Sequence, residues 1–267
     1  MEMSRRRFAG LAGGVLLAGA ASSLLASPAQ AASKTKTSTP TIQTLNWAGT
    51  TWQLRDSSWS SGGPAYNGLY SAKNVKVNTD GTLTLSITNP TGSNPVSAEI
   101  LAATSTGYGT YTITATGDFD NLDPDVVFGN FFLYDDSSTA VAGHNEIDGG
   151  EVSKWGHAGG PQTLTDTYYP VAAGTQTGAT VWPSGVTTAT FQLVWLPGSI
   201  TWDAYQGPAV AGSSFLHSAV SNSNVPVPRN QRMHVNLWAF QNSTSPSASG
   251  LAPVSVTLNS YSFVPSA

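Results

Sequence analysis

The chain has 267 residues, of which only 10% are charged, a formal net charge of −4 at pH 7, and no cysteine. With 11 basic residues against 15 acidic ones it lacks the basic face that a nucleic acid or an anionic membrane surface requires of a partner. Having no disulfides, the fold must rest on its own hydrophobic core, and a chain of this length can bury one.

Taken in chain order, residues 1–31 read as an export signal rather than as part of the fold. Ser4-Arg5-Arg6-Arg7-Phe8 is a twin-arginine pattern, followed by a Gly- and Ala-rich apolar run over 9–25 and by Ala29-Gln30-Ala31, a small-x-small cleavage site. The run is short and rich in glycine for a membrane span, so cleavage near Ala31 and secretion by the Tat route are expected; an uncleaved signal anchor is the alternative. Loss of Arg5, Arg6, Arg7 and Glu2 leaves 8 basic and 14 acidic residues, a formal charge of −6. Residues 32–41 have the composition of a linker, and 42–267 read as one domain with no internal repeat.

That domain lacks any sustained 3.6-residue apolar period and instead carries short alternating runs bounded by turn residues. Residues 75–78 and 82–87 flank Thr79-Asp80-Gly81 and predict a hairpin. Further strands are predicted over 111–115, 126–134, 189–195, 200–205, 233–240 and 254–263. The expectation is an all-β domain of about a dozen strands in two sheets, with no feature that demands more than a monomer.

The most concentrated charge lies in the segment 144–152, HNEIDGGEV, which holds Glu146, Asp148 and Glu151. Side chains alternate along a strand, so Glu146 and Asp148 share a face whereas Glu151 would point to the other. One extra residue between Asp148 and Glu151 restores the phase. A β-bulge supplies it, and Gly149-Gly150 suits the positive φ that bulges often need. Two carboxylates flanking a glycosidic bond, one ionised to attack and one protonated to release the leaving oxygen, hydrolyse sugars. Carboxyls in a retaining pair lie about 5–5.5 Å apart, which demands a strongly curved sheet here. A second acidic run, Asp118, Asp120, Asp123 and Asp125, is broken by proline and reads as a solvated loop or a loose calcium site.

EIDGGEVSKWG resembles the catalytic strand of glycoside hydrolase family 16, in the E-x-D-x-x-E form carried by laminarinases and agarases. The resemblance extends over GGPAYNGLYSAKNVKVNTDGTLTLSI, GYGTYTITA, VVFGNFFLYDD, ATFQLVWLPGSITWDAYQG and MHVNLWAFQ. It implies a β-jelly-roll sandwich of two antiparallel sheets with a concave substrate cleft. By position it implies Glu146 as nucleophile, Asp148 as its assistant and Glu151 as acid/base, in a secreted endo-acting hydrolase that retains configuration and needs no cofactor. The substrate class implied is a β-linked polysaccharide of the β-1,3-glucan or galactan type. A transglycosylase on the same site and a catalytically silent glycan-binding jelly roll are the alternatives, and a structural calcium is compatible with all of them. Two departures stand out: Gly149-Gly150 replaces more usual apolar or small residues, which would loosen the strand, and Phe131, Phe132 and Tyr134 precede the acids where many members have a tryptophan.

Sugars offer flat apolar faces rimmed by hydroxyls, so their sites combine aromatic platforms with polar groups. Trp155 lies four residues beyond Glu151. His234, Asn236 and Trp238 share one face of a strand whose other face carries Val235 and Leu237. His144 precedes Glu146 by two residues, and Asn67 and Trp182 are candidates on loops. For every tryptophan a packed core position is the plain alternative, and Trp195 and Trp202 are expected there.

Overall fold

A computed structural model of the chain describes residues 41–60, 68–88, 95–137, 146–169, 176–210, 214–240, 251 and 254–267. Among these residues the fold consists of fifteen strands and two single turns of 3-10 helix. The strands are β1 (Thr44–Trp47), β2 (Thr50–Leu54), β3 (Val75–Val77), β4 (Leu83–Ile87), β5 (Ala98–Ser105), β6 (Gly109–Thr116), β7 (Val126–Tyr134), β8 (Ile147–Ser153), β9 (Thr163–Tyr168), β10 (Gln176–Val181), β11 (Thr188–Leu196), β12 (Ser199–Gln206), β13 (Ser214–Ser221), β14 (Arg232–Ala239) and β15 (Val254–Pro265). The count exceeds the dozen expected because β1, β2, β5, β9, β10 and β13 lack a clean apolar alternation.

All named strand pairs are antiparallel. They form an eight-stranded sheet in the order β1-β2-β5-β14-β7-β8-β9-β10 and a seven-stranded sheet in the order β13-β12-β11-β6-β15-β4-β3. Neighbours in space that are distant in sequence, such as β5 beside β14 and β6 beside β15, give the crossed connectivity of a jelly-roll sandwich. The hairpin between β3 and β4 is closed by Asn78 and Thr82, with Gly81 at φ +85 supplying the left-handed turn residue.

One continuous core lies between the sheets. The inward face of the eight-stranded sheet contributes Trp52, Ile100, Phe128, Phe131, Ile147, Val152, Leu164, Val235 and Leu237, and the other sheet contributes Leu85, Ile113, Phe191, Trp195 and Trp202. A separate, smaller cluster of Tyr70, Val127 and Trp238, with Trp155 and Phe240 against it, covers the outward face of the eight-stranded sheet. Strand alternation thus divides β14 in two: Met233, Val235 and Leu237 face the core, while His234, Asn236 and Trp238 face out.

Candidate active site

The outward face is organised by an irregularity shared by β7 and β8. Those two strands run in step, Glu151 opposite Gly129 and Asp148 opposite Phe132. On the far side of β8, Gly149 pairs with Asp166 and Glu151 with Thr165, so one residue, Gly150, has no partner on β9. On the far side of β7, His234 pairs with Phe132 and Asn236 with Gly129, so β7 also carries one residue more than β14. Two adjacent strands bulge together, and both resume alternation with their phase reversed.

Each glycine has its own reason. Gly150 has φ +105, a left-handed conformation that L side chains rarely adopt, and an added Cβ would lie 2.9 Å from Leu164 Cδ1 and 3.1 Å from Asn130 Nδ2. Gly149 has ordinary φ, but the ring of Phe131 occupies the space a Cβ would need. The glycine pair, expected to loosen the strand, is therefore packed: Phe131 on β7 fills the core that Gly149 leaves empty.

The bulge leaves Ile147 and Val152 in the core and directs Asp148 and Glu151 outward. Glu146 immediately precedes β8, and its carbonyl accepts a hydrogen bond from Tyr169 N at 2.9 Å, which extends the ladder by one residue. The three acids form the floor of the face: Glu146 is 8% exposed, Asp148 1% and Glu151 5%. Burial first, and then the Glu146 carboxylate's charge, hold the Tyr134 phenol above its usual value. From behind, the indole N–H of Trp202 crosses the core and donates to the Asp148 carbonyl at 2.9 Å.

Around the acids the expected binding residues fall into three groups. Trp155, His234 and Asn236 are on the same face as the acids. Trp155 has φ +52, unusual for so bulky a residue, and is held there by its backbone N–H on Ser153 Oγ (3.0 Å) and its indole N–H on Thr165 Oγ1 (3.2 Å). Since Thr165 pairs with Glu151, this ring flanks the third acid. Asn236 pairs with Gly129, and its amide takes the position a side chain on that glycine would fill. His234 stacks on Phe132 with ring centroids 4.7 Å apart and bonds Glu99 Oε1 through Nδ1 at 2.9 Å.

Two tryptophans need correction. Trp238 faces outward as expected but is only 2% exposed, enclosed by Trp155 and Phe240 with centroids at 6.2 and 5.8 Å, so it supports the surface ring instead of offering a bare platform. Trp182, expected on a loop at the site, does lie on the loop that follows β10, but its ring is buried in the core between Phe119 and Phe191 and away from the acid face. His144 and Asn67, together with the export signal and residues 32–40, lie outside the described residues.

Sequence reasoning missed the polar cluster beside this group. Glu99 on β5 is fully buried and pairs in register with Asn236. Arg55 Nη1 donates to both of its carboxylate oxygens, at 3.2 and 2.9 Å, and Arg55 also stacks over Tyr70 at 4.5 Å. Burial pushes Glu99 up, but the Arg55 charge and the bonds from His234 and Arg55 outweigh it and hold the carboxyl below its ordinary value. One signal was available: in a chain this poor in charge, a single Glu inside the apolar run Ala98–Ala102 marks a buried, partnered acid.

The acidic run over 118–125 is taken up locally. Asp118 accepts from the Asn121 amide, Asp120 from Gly185 N and Ser184, and Asp123 from Asp125 N. Among the described residues no group of three or more His, Asp or Glu side chains is arranged to hold a metal ion. A depression of about 410 Å³ lined by Ala103, Thr104, Asp136, Asn230 and Arg232 lies at the end of β5 and β14, and none of the three acids borders it.

No family profile and no curated protein sequence matches the chain. Its structure is similar to that of a β-glucanase of Bacillus licheniformis, with a TM-score of 0.61 and 23% identity over 80% of this chain and 92% of that one. It is similar to a β-1,3-1,4-glucanase (lichenase) derived from a mouse hindgut metagenome, with a TM-score of 0.60 and 20% identity over 80% and 92%. A third neighbour, from Mycobacterium tuberculosis, is described as an immunostimulatory antigen and pseudo β-1,3-glucanase, with a TM-score of 0.57 and 18% identity over 81% and 91%. At these identities the likeness establishes the jelly-roll fold.

Proposed function

We propose that this protein is a secreted, retaining, endo-acting glycoside hydrolase that cleaves a β-linked polysaccharide of the β-1,3-glucan or galactan type. The observation that carries the reading is the bulge at Gly150, which turns Glu151 to the face that Asp148 already occupies, in a sandwich of the kind glucanases use. The E-x-D-x-x-E spacing favours the laminarinase or agarase type over the lichenase type. The twin-arginine segment supports export of a folded protein, and no feature calls for an assembly larger than a monomer.

The chemistry runs in two steps. The Glu146 carboxylate attacks the anomeric carbon while Glu151, protonated, gives its proton to the departing glycosidic oxygen. Glu151, now ionised, removes a proton from water, and that water displaces Glu146 from the glycosyl-enzyme; two inversions restore the original configuration. Asp148 lies between the two and carries or releases charge as the nucleophile changes state. Trp155 and Asn236 flank the sugar. Arg55 is committed to Glu99, which favours a neutral glycan over a sulfated one.

Reducing-end release from laminarin, mixed-linkage glucan, agarose and carrageenan tests the reading beside Glu151→Gln. The variant should lose about 10²–10⁴-fold in rate on the active polymer, as expected on removal of a general acid/base. The first product seen by proton NMR should be the β-anomer. The second reading, a silent glycan-binding jelly roll, draws on the neighbour described as a pseudo β-1,3-glucanase. It predicts retention on a polysaccharide gel with no reducing ends released.

A further inference from the structure

Asp166 lies on β9 between Leu164 and Tyr168, both core residues, and its carboxylate points into the space between the sheets, 3% exposed. There Oδ2 meets Nε2 of His217 at 2.5 Å, and His217 belongs to β13, the edge strand of the opposite sheet. The proposed chemistry uses neither residue. A polar pair in this place is unexpected, since two apolar side chains of similar volume stabilise a core as well or better.

Its position relative to the bulge is informative. Asp166 is the register partner of Gly149, the last β9 pairing before the ladder slips. Its Oδ1 comes within 3.6 Å of the point where a Cβ on Gly150 would sit, and the Asn130 amide nitrogen within 3.1 Å of the same point. The carboxylate therefore abuts the unpaired residue whose left-handed backbone turns Glu151 outward. The opposite sheet also reaches β8 directly, from the same strand pair. Trp202, opposite Ala219 and two pairs from Ala204–His217, donates to the Asp148 carbonyl. Where the regular ladder breaks, two contacts through the core brace the stretch that leads into the bulge, one at the Asp148 carbonyl and one at Asp166 opposite Gly149.

We propose that Asp166 and His217 are positioning residues, a strut from the back sheet that fixes the Gly149–Gly150 bulge and so the aim of Glu151. The role rests on the hydrolase reading only for its catalytic consequence; the mechanical claim stands on the geometry. The hydrogen bond to Asp166 raises His217 against the effect of burial, with the Asp166 and Asp203 charges adding to it, so the imidazole holds its proton to higher pH than an exposed one would.

The test compares wild type, Asp166→Leu and Asp166→Asn in the full folded chain, with two readouts. Backbone hydrogen exchange at Gly150 and Glu151 should quicken about tenfold or more in Asp166→Leu, with β4 and β15 unchanged, while Asp166→Asn, which can still bond His217, stays near wild type. On the polymer that wild type cleaves, kcat per folded molecule should fall about tenfold or more in Asp166→Leu with KM little changed, and Asp166→Asn should recover most of it. Unchanged exchange at the bulge in Asp166→Leu overturns the strut, as does equal behaviour of the two variants. Wild type that releases no sugar, with exchange responding as expected, leaves the strut standing and removes the hydrolase reading. If Asp166→Leu does not fold, His217→Gln against His217→Leu makes the same comparison from the other partner.

Discussion

The eight-stranded sheet holds a buried acid with a nitrogen partner on each of its faces, and the two behave oppositely. On the outer face Glu99 meets both Arg55 and His234 and is held below its ordinary value. On the inner face Asp166 meets His217 alone; burial pushes it up, and the single hydrogen bond does not offset that. The difference is one of donor number. A carboxylate with a guanidinium and an imidazole remains an anion in the interior, whereas one with an imidazole alone shares a proton. The first cluster is a fixed charge beside the acids, and the second is a neutral-sum strut behind them.

The comparison can be broken from either side. Arg55→Ala leaves a fully buried carboxylate without its main cation and should cost about 3 kcal/mol in denaturant unfolding at pH 7. A value under about 1 kcal/mol, the range of exposed pairs, would mean that solvent reaches Glu99. His217→Leu should cost less, about 1–3 kcal/mol, because Asp166 can answer the loss by taking up a proton. The double replacement Asp166→Leu with His217→Leu should be nearly neutral, within about 1 kcal/mol of wild type, since it removes the polar pair entirely.

The two sites also predict opposite pH limbs. Glu99 is depressed, so its contribution is present above the ordinary glutamate value and lost as pH falls through its folded value. His217 is raised, so its contribution is full below the ordinary imidazole value and lost as pH rises through its folded value; Asp166, also raised, loses in the same direction. Thermal melts of wild type should therefore decline at both ends. Arg55→Ala should flatten the acid limb and the double replacement the alkaline one. The groups acting on the inner pair are Asp166, His217 and Asp203, and Asp203→Asn tests the remaining charge with the smallest shift expected.

Much of this site was legible in the chain. The alternation over 126–134 and 254–263 fixed β7 and the start of β15, and the parity of Glu146, Asp148 and Glu151 required an extra residue where Gly150 provides one. The alternation of β14 separated His234, Asn236 and Trp238 from the core set. What escaped depended on distance along the sequence. Nothing local links Asp166 to a histidine 51 positions later or Glu99 to an arginine 44 positions earlier. In β9 (TLTDTY) the inward set Leu164 and Tyr168 is interrupted by Asp166, which weakens its period-2 contrast. Trp182 does lie on a loop, as its flanking turn residues indicate, but loop position says nothing of side-chain direction, and the indole turns inward against Phe119 and Phe191.

The close fit of Phe131 over Gly149 has a consequence for how this sequence can change over generations. The two positions, on neighbouring strands, share one allotment of volume, so neither can drift alone. Enlarging residue 149 first drives a side chain into the ring, while shrinking Phe131 first opens a void that costs about 3–5 kcal/mol but leaves the backbone free. The second order is the passable one. Descendants that regain a bulky residue in the acid strand should therefore have lost the aromatic one beside it earlier, a historical sequence of substitutions written into the packing.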